Sequence, residues 1–350
     1  MGLSKWIAVG TAALVLASGA SLAVGDVVYN VSTKLHCRIN SDAIQNTPNA
    51  FFTSTYNSGP FRGEGWNRWV KHDLSDWWLE TDYSSVRIEV EPGVKLAGWW
   101  IAPNYPETQK TVIVTHGLGN SKHDYSTLLP AAMLVKAGFN VLVVDQRNTG
   151  ESTCVDGRHS AGQQESSDFV KVADWLVTEQ GIKPESIGMY GVSGGAIVTS
   201  LMAAKTENIS AFALEGSIFD FDKAATDEAE MLGLPGFVWQ LGSATADVFY
   251  GVNLTELTVA QSLKQAGSRP FLVLHGEEDK RLDFQGSVEF KEYAESIGVP
   301  VELESFVGAD HTEGMLTEPN RYARLLGDFF HKSLRELNRS GASGIATYYR

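Results

Sequence analysis

The stretch Ile187-Gly188-Met189-Tyr190-Gly191-Val192-Ser193-Gly194-Gly195-Ala196 decides the fold. Its first four residues form an apolar run of strand length, and residues 194–205 are a segment of helix length. Between the two stands one serine, with a glycine two residues away on either side. A residue held at so abrupt a reversal needs unfavourable dihedral angles and crowds its neighbours, so positions 191 and 195 must do without bulk. Strand, sharp turn and helix in succession, with Gly-x-Ser-x-Gly at the turn, lift a serine hydroxyl out of the carboxyl edge of a parallel sheet.

The flanking sequence supplies the rest of that sheet. Short, mostly apolar runs cover 111–115, 141–144, 187–190, 211–214, 271–274 and 301–306. Before them, 86–90 and 96–101 flank Glu91-Pro92-Gly93-Val94, which reads as an antiparallel hairpin with a proline–glycine turn. Unbroken apolar runs suit a sheet covered on both faces. Segments 125–137, 163–179, 194–205, 285–297 and 321–334 have helix length, and 163–179 places Phe169, Val172, Leu176 and Val177 on one face. Strand alternating with helix predicts an α/β fold, with a mostly parallel eight-stranded sheet and right-handed crossovers. Over fifty residues separate the runs ending at Leu214 and starting at Phe271, too many for a bare loop. The connection is expected to carry its own helices, as a small lid over about 217–268 at the edge where ligands bind in open α/β sheets.

Three further loops fall at strand ends. His116-Gly117-Leu118-Gly119 follows the run 111–115, Leu274-His275-Gly276-Glu277-Glu278-Asp279 closes the run 271–274, and Gly308-Ala309-Asp310-His311 lies beyond 301–306. The order serine, acid, histidine is one of the three known chain orders for a nucleophile, its orienting acid and its base. Ser193 is therefore read as nucleophile, His311 as general base and Asp279 as the acid that fixes the imidazole tautomer. A tetrahedral oxyanion needs two preorganised donors, and the backbone N–H groups of Leu118 and Gly194 are the candidates. Gly191 and Gly195 give the turn its clearance. Glu277, Glu278, Asp283 and Glu215 compete with Asp279 for the role of acid; Asp279 is preferred because three residues beyond Gly276 let the chain turn once toward the histidine loop. Asp283 reads as a helix cap. His116, upstream of the serine, reads as a structural residue that orders its loop, and Asp145 and Arg147 as polar residues of a structural turn.

With these motifs in place, residues 85–335 resemble the α/β-hydrolase superfamily, and in particular bacterial membrane-associated or exported hydrolases of the serine-aminopeptidase-like branch. The resemblance rests on His116-Gly117-Leu118-Gly119-Asn120-Ser121, Asp145-Gln146-Arg147-Asn148-Thr149-Gly150-Glu151-Ser152, Leu214-Glu215-Gly216-Ser217, and the run from His311 to Pro319 and Tyr322. It implies acyl transfer to water from an ester, thioester or amide, esterase-like in character, on a small-molecule or peptide substrate and without cofactor or metal. An acyltransferase with the same triad, or a binding module on a silent hydrolase fold, are the alternative functions.

Charge and termini bound the setting. With 42 acidic and 28 basic side chains the formal net charge is −14, which argues against nucleic acid as a partner. Lys5 precedes the uncharged stretch from Trp6 to Gly25, twenty residues that suffice to span a bilayer. Residues 1–29 are thus expected to be a transmembrane anchor, or a signal peptide cleaved after Ser21-Leu22-Ala23; a buried helix is the third reading. Either of the first two places the catalytic domain outside the cytoplasm, at the cell membrane or secreted. Residues 30–84 read as an extension that packs on the main domain, with Trp66, Trp69, Trp77 and Trp78 on short helices or loops, and 336–350 as a tail. Cys37 and Cys154 are the two cysteines; an oxidising location permits a disulfide, and two separate thiols are the alternative. The oligomeric state is not legible.

Overall fold

A mixed sheet of eight strands forms the centre of the molecule, in the order β1-β2-β4-β3-β5-β6-β7-β8. The computed structural model describes residues 22–41, 43–53, 72–104 and 108–336. The strands are β1 (Tyr83–Glu91), β2 (Val94–Ile101), β3 (Thr111–Thr115), β4 (Asn140–Val144), β5 (Ile187–Val192), β6 (Ala211–Glu215), β7 (Phe271–Gly276) and β8 (Val301–Phe306). β1 and β2 form the hairpin around Pro92-Gly93, and β2 joins β4 antiparallel. From β4 through β3, β5, β6, β7 and β8 every pairing is parallel.

Strands β3 to β7 are buried along their whole length because both faces are covered, whereas the run 301–306, expected to be mostly apolar, is the edge strand β8 and carries Glu302, Glu304 and Ser305. Val112 and Val114 of β3, Val141 and Val143 of β4, and Ala211 and Ala213 of β6 enter one core. Their alternate neighbours Ile113, Leu142, Val144, Phe212 and Leu214 enter the other. The period-two alternation of a strand separates the two sets. On the first face lie α2 (Tyr125–Lys136), α9 (Gly314–Thr317) and α10 (Pro319–Ser333). Helix α10 directs Tyr322, Leu326, Phe329 and Phe330 inward, a stripe of helical spacing. On the second face lie α3 (Gln163–Thr178), α4 (Gly194–Lys205), α7 (Val259–Leu263) and α8 (Gln285–Ser296).

Residues 43–53 and 72–79 lie against the first face. Phe51, Leu74 and Leu79 are buried in that core, and the Trp78 indole donates to the Phe51 carbonyl at 2.9 Å. Trp77 ends a short 3-10 helix and packs half-buried beside it. Trp66 and Trp69 lie outside the described residues. Cys37 and Cys154 are paired in a disulfide with their Cα atoms 5.5 Å apart, so the alternative of two separate thiols does not hold. The bond ties the N-terminal residues to the loop that follows β4, next to a short bridge between Lys34 and Arg158.

The long connection between β6 and β7 carries α5 (Phe221–Met231), α6 (Phe237–Thr245), one π-helical turn (Ala246–Tyr250) and α7. Val259 and Leu263 of α7 belong to the second core, so α7 is part of the main helical layer. The helix α1 over 22–32 lies against α6 and the π turn, and Tyr29, Ala161, Trp239, Ala246 and Leu254 form a small core of their own there. Among the described residues no helix is long and apolar enough to cross a membrane. Residues 6–21 of the uncharged stretch lie outside the described residues; the last four residues of that stretch are helical and belong to α1.

Candidate active site

Strands β4 and β5 flank β3 on opposite sides, so the chain changes direction across the sheet between β3 and β5. At such a switch point the loops part and leave a crevice at the carboxyl edge. The loops after β3 and β5 carry Leu118 and Ser193 into that crevice.

Ser193 has φ 52° and ψ −114°, a backbone state that L-residues avoid. Its surroundings hold it there. The Ser193 N–H donates to the Glu215 carbonyl at 2.7 Å, and the Ala196 N–H donates back to the Ser193 carbonyl at 2.8 Å. The turn is too tight for side chains around it: a Cβ on Gly191 would lie 2.1 Å from the Gly195 carbonyl oxygen, and one on Gly195 would lie 2.6 Å from that of His116. A Cβ on Gly194 would fall 2.8 Å from the Leu118 nitrogen, so the backbones of the two residues singled out as oxyanion donors are in close contact beside the serine.

His311 reaches Ser193 from the loop beyond β8. Its Nε2 lies 3.0 Å from Ser193 Oγ, and its Nδ1 lies 2.7 Å from Asp279 Oδ2. Both Ser193 and His311 are buried to within a few per cent. Burial pushes the His311 ring below the usual histidine range, against the pull of the Asp279 charge. Burial by itself would raise the Asp279 carboxyl; the His311 and His275 rings beside it hold it well below the usual carboxylate range. The backbone adds to that. Asp279 Oδ1 accepts from the N–H groups of Arg281 and Leu282, both at 2.8 Å.

Two residues that sequence reasoning left without a role complete the frame. His275, the penultimate residue of β7, directs Nε2 to Asp279 Oδ2 and to the Leu282 carbonyl, both at 3.0 Å. Its Nδ1 lies 2.6 Å from Ser287 Oγ, which meets Ser217 Oγ at 2.7 Å. Asp310 Oδ1 accepts from the His311 N–H at 2.7 Å and from the Lys280 N–H at 2.9 Å, binding the histidine loop to the acid loop. Position gave the one available signal for each: His275 ends an apolar strand, and Asp310 adjoins the candidate base.

Among the described residues, Asp279 bonds to His311 Nδ1 and none of the competing carboxylates does. Glu277 accepts from Ser305 Oγ at 2.6 Å, Glu278 is exposed, and Asp283 accepts from the Gln285 N–H at the start of α8. Glu215 is fully buried; its Oε2 accepts from Tyr322 Oη at 2.8 Å, while its Oε1 has no hydrogen-bond partner. Tyr322 Oη also meets Tyr190 Oη at 2.6 Å. Burial, opposed by the Tyr322 bond and reinforced by the Asp279 charge, pushes the Glu215 carboxyl up to about 8. A neutral acid at pH 7 cannot stabilise an imidazolium, so Glu215 is poorly suited to the role of orienting acid. His116 Nε2 accepts from the Gln146 N–H at 3.0 Å and sits 3.0 Å from Thr149 Oγ1, inside the loop framework. Asp145 accepts from the backbone and side-chain nitrogens of Lys122, and Arg147 pairs with Asp168.

A hydroxyl, an imidazole and a carboxylate in line can pass a proton from oxygen to nitrogen while the carboxylate balances the charge that forms. The chain has the architecture of the α/β-hydrolases, an eight-stranded, mostly parallel sheet with a strained Gly-x-Ser-x-Gly turn at its switch point. It belongs to the prolyl oligopeptidase family, whose model matches residues 125–336. An uncharacterized peptidase of Bacillus subtilis, YuxL, is 22% identical over 250 residues, which are 69% of this chain and 37% of that protein. The acylamino-acid-releasing enzyme of Rattus norvegicus is 23% identical over 57% of this chain and 28% of its own. The chain thus spans about a third of the length of the curated relatives it matches. Among solved structures, the Pyrococcus furiosus esterase Pf2001 superposes with a TM-score of 0.60 at 24% identity, covering 76% of this chain and 96% of that one. The acylaminoacyl peptidase of Pyrococcus horikoshii gives a TM-score of 0.60 at 19% identity, over 75% of this chain and 44% of that one.

Proposed function

We propose that the chain is an esterase-like hydrolase acting outside the cytoplasm, with Ser193 as nucleophile, His311 as general base and Asp279 as orienting acid. The observation that carries this reading is the unbroken line from Ser193 Oγ through His311 to Asp279 Oδ2. His311 Nε2 takes the hydroxyl proton as Oγ attacks the substrate carbonyl, and the ionised Asp279 stabilises the imidazolium. The N–H groups of Leu118 and Gly194 receive the oxyanion. The imidazolium then protonates the leaving group, and a water activated by His311 releases the acyl chain from Ser193. The P. furiosus esterase, nearly all of which aligns with this chain, supports an ester as the bond cleaved.

Two observations support an extracytoplasmic setting. The Cys37–Cys154 disulfide belongs to oxidising compartments, and Lys5 stands ahead of the uncharged stretch Trp6 to Gly25, which we take as a membrane anchor. A panel of short-chain and long-chain esters, thioesters and aminoacyl amides tests the reading, with Ser193→Ala as the blank. Turnover of esters above the blank is the expected result; turnover of aminoacyl amides alone would make the enzyme a peptidase. Recovery of the chain in the soluble cytosolic fraction would contradict the location.

A further inference from the structure

Helix α1 is apolar on two faces. One faces the lid: a Cβ on Gly25 would lie 2.1 Å from Thr245 Oγ1, and one on Gly242 of α6 would lie 2.7 Å from Val28 Cγ1. Tyr29 packs against Tyr250 with ring centroids 4.5 Å apart, the Tyr250 hydroxyl donates to Asp26, and Asn30 donates to Tyr250 Oη at 3.2 Å. α1 and the lid are thus fastened together by close packing and polar contacts. The other face carries Val24, Val27 and Val31, at the i, i+3, i+7 spacing of a helical stripe, and all three are exposed. A helix that shows apolar stripes on both sides is built to be covered on both.

The exposed stripe has company. Most of the large apolar side chains exposed among the described residues lie on α1 or between Met231 and Tyr250. Leu232 and Leu234 follow α5, Phe237 opens α6, and Val248 and Phe249 project from the π turn at 72% and 60% exposure. Scattered single apolar residues are ordinary on a protein surface, whereas such a concentration marks a contact site.

We infer that this surface of the lid and α1 rests on a phospholipid bilayer, so that the lid faces the membrane. The inference rests on the proposed anchoring of the chain through Trp6 to Gly25. Chain continuity names the occupant: the last four residues of the uncharged stretch belong to α1, so the medium that holds the stretch adjoins the apolar stripe and the lid fastened to it. The charges beside it select the headgroup. Helix α5 carries Asp222, Asp227, Glu228 and Glu230 against Lys223 alone; with Lys223 paired to Asp227 and Glu228 paired to Arg281, the flank keeps an excess of two negative charges. Anionic lipid is repelled by that flank, whereas a zwitterionic surface receives the apolar side chains without electrostatic cost. The lid is thereby held against the interface.

The test uses the full chain reconstituted with phosphatidylcholine vesicles, carrying the photoreactive p-benzoylphenylalanine at one exposed position at a time. Val27, Phe237 and Phe249 sample the proposed surface, and Val307, exposed on the loop after β8, serves as comparison. Circular dichroism melts establish that each variant folds. After flotation and irradiation, mass spectrometry reads lipid adducts. Flotation with strong lipid adducts at Val27, Phe237 and Phe249, and background adducts at Val307, is the expected result. Flotation with no excess at the three positions leaves the anchor standing and overturns the lid contact. A cross-linked pair of chains through Phe237 or Phe249 also overturns it, assigning the surface to a second copy. A chain that does not float removes the anchor and the inference together.

Discussion

His275 Nε2 lies 3.0 Å from Asp279 Oδ2, the same oxygen that His311 approaches. One carboxylate oxygen therefore receives two imidazoles, one from the end of β7 and one from the loop beyond β8. The first faces only acceptors with its Nε2, the Asp279 carboxylate and the Leu282 carbonyl, so that nitrogen carries the proton and donates. His275 thus holds the carboxylate that in turn holds His311, which makes it a positioning residue.

Replacing His275 by Phe removes that donor and leaves a buried carboxylate one bond short. Loss of a buried hydrogen bond to a charged group costs about 1.5–3 kcal/mol, and a matching fall in denaturant midpoint is expected. Turnover should fall with little change in KM, and His275→Gln, which retains a donor, should recover part of both. Unchanged turnover in His275→Phe would show that Asp279 is held by its backbone donors alone.

Asp279→Asn keeps the shape of the acid and reverses its hydrogen-bond character. The amide donates where the carboxylate accepted, and His311 then carries its proton on the nitrogen that faces Ser193. Steady-state kinetics should show kcat lowered by up to about 10⁴-fold, the effect seen in serine proteases. If this variant stayed near wild-type activity while Glu215→Gln lost it, the acid would belong to β6.

Glu215 predicts a pH dependence of stability with a definite sign. Its carboxyl titrates at about 8 in the fold and at 4.5 when exposed. Below the lower value both states bind the proton, and nothing is lost. As pH rises from 4.5 toward 8 the unfolded chain releases its proton and the folded chain keeps it, so stability falls across that window. Glu215→Gln carries no titrating proton. Urea midpoints measured at pH 5 and pH 8 should therefore differ less in the variant than in the parent; equal differences would show that Glu215 titrates normally.

The Cys37–Cys154 bond joins positions 117 apart in sequence and fastens the chain next to α1 to the loop after β4. Removing a native disulfide typically costs about 2–5 kcal/mol. The double variant Cys37→Ser, Cys154→Ser should lose stability in that range and expose the segment near residue 37 to limited proteolysis. An unchanged melting temperature and digestion pattern would mean that packing alone holds this segment.

The inner strands β3 to β7 were legible because their burial shows in sequence, whereas the edge strand β8 carries Glu302 and Glu304. Runs such as Thr111 to Thr115 and Phe271 to Leu274 are apolar at consecutive positions, a pattern that sheets covered on both faces produce. The turn at Ser193 was legible because only glycine fits at 191 and 195. What stayed hidden depends on contacts distant in sequence. The cysteines are 117 residues apart with no spacing rule to join them. His275 reads as one more residue at the end of an apolar run until the fold brings Ser287 and Asp279 to its two nitrogens. The π turn and the division of the long connection between lid and core arise from packing against α1 and α4, which local periodicity does not encode.

The proposed chemistry stands or falls on activation of the Ser193 hydroxyl by His311. Intact-mass and peptide mass spectrometry after brief exposure to a fluorophosphonate measure this directly, since an activated serine reacts and an ordinary one does not. A single phosphonyl adduct on Ser193 is predicted in the parent chain, with none in Ser193→Ala and sharply slowed labelling in His311→Ala. Labelling of the parent at another residue, or at equal rates with and without His311, would contradict the assignment of nucleophile and base.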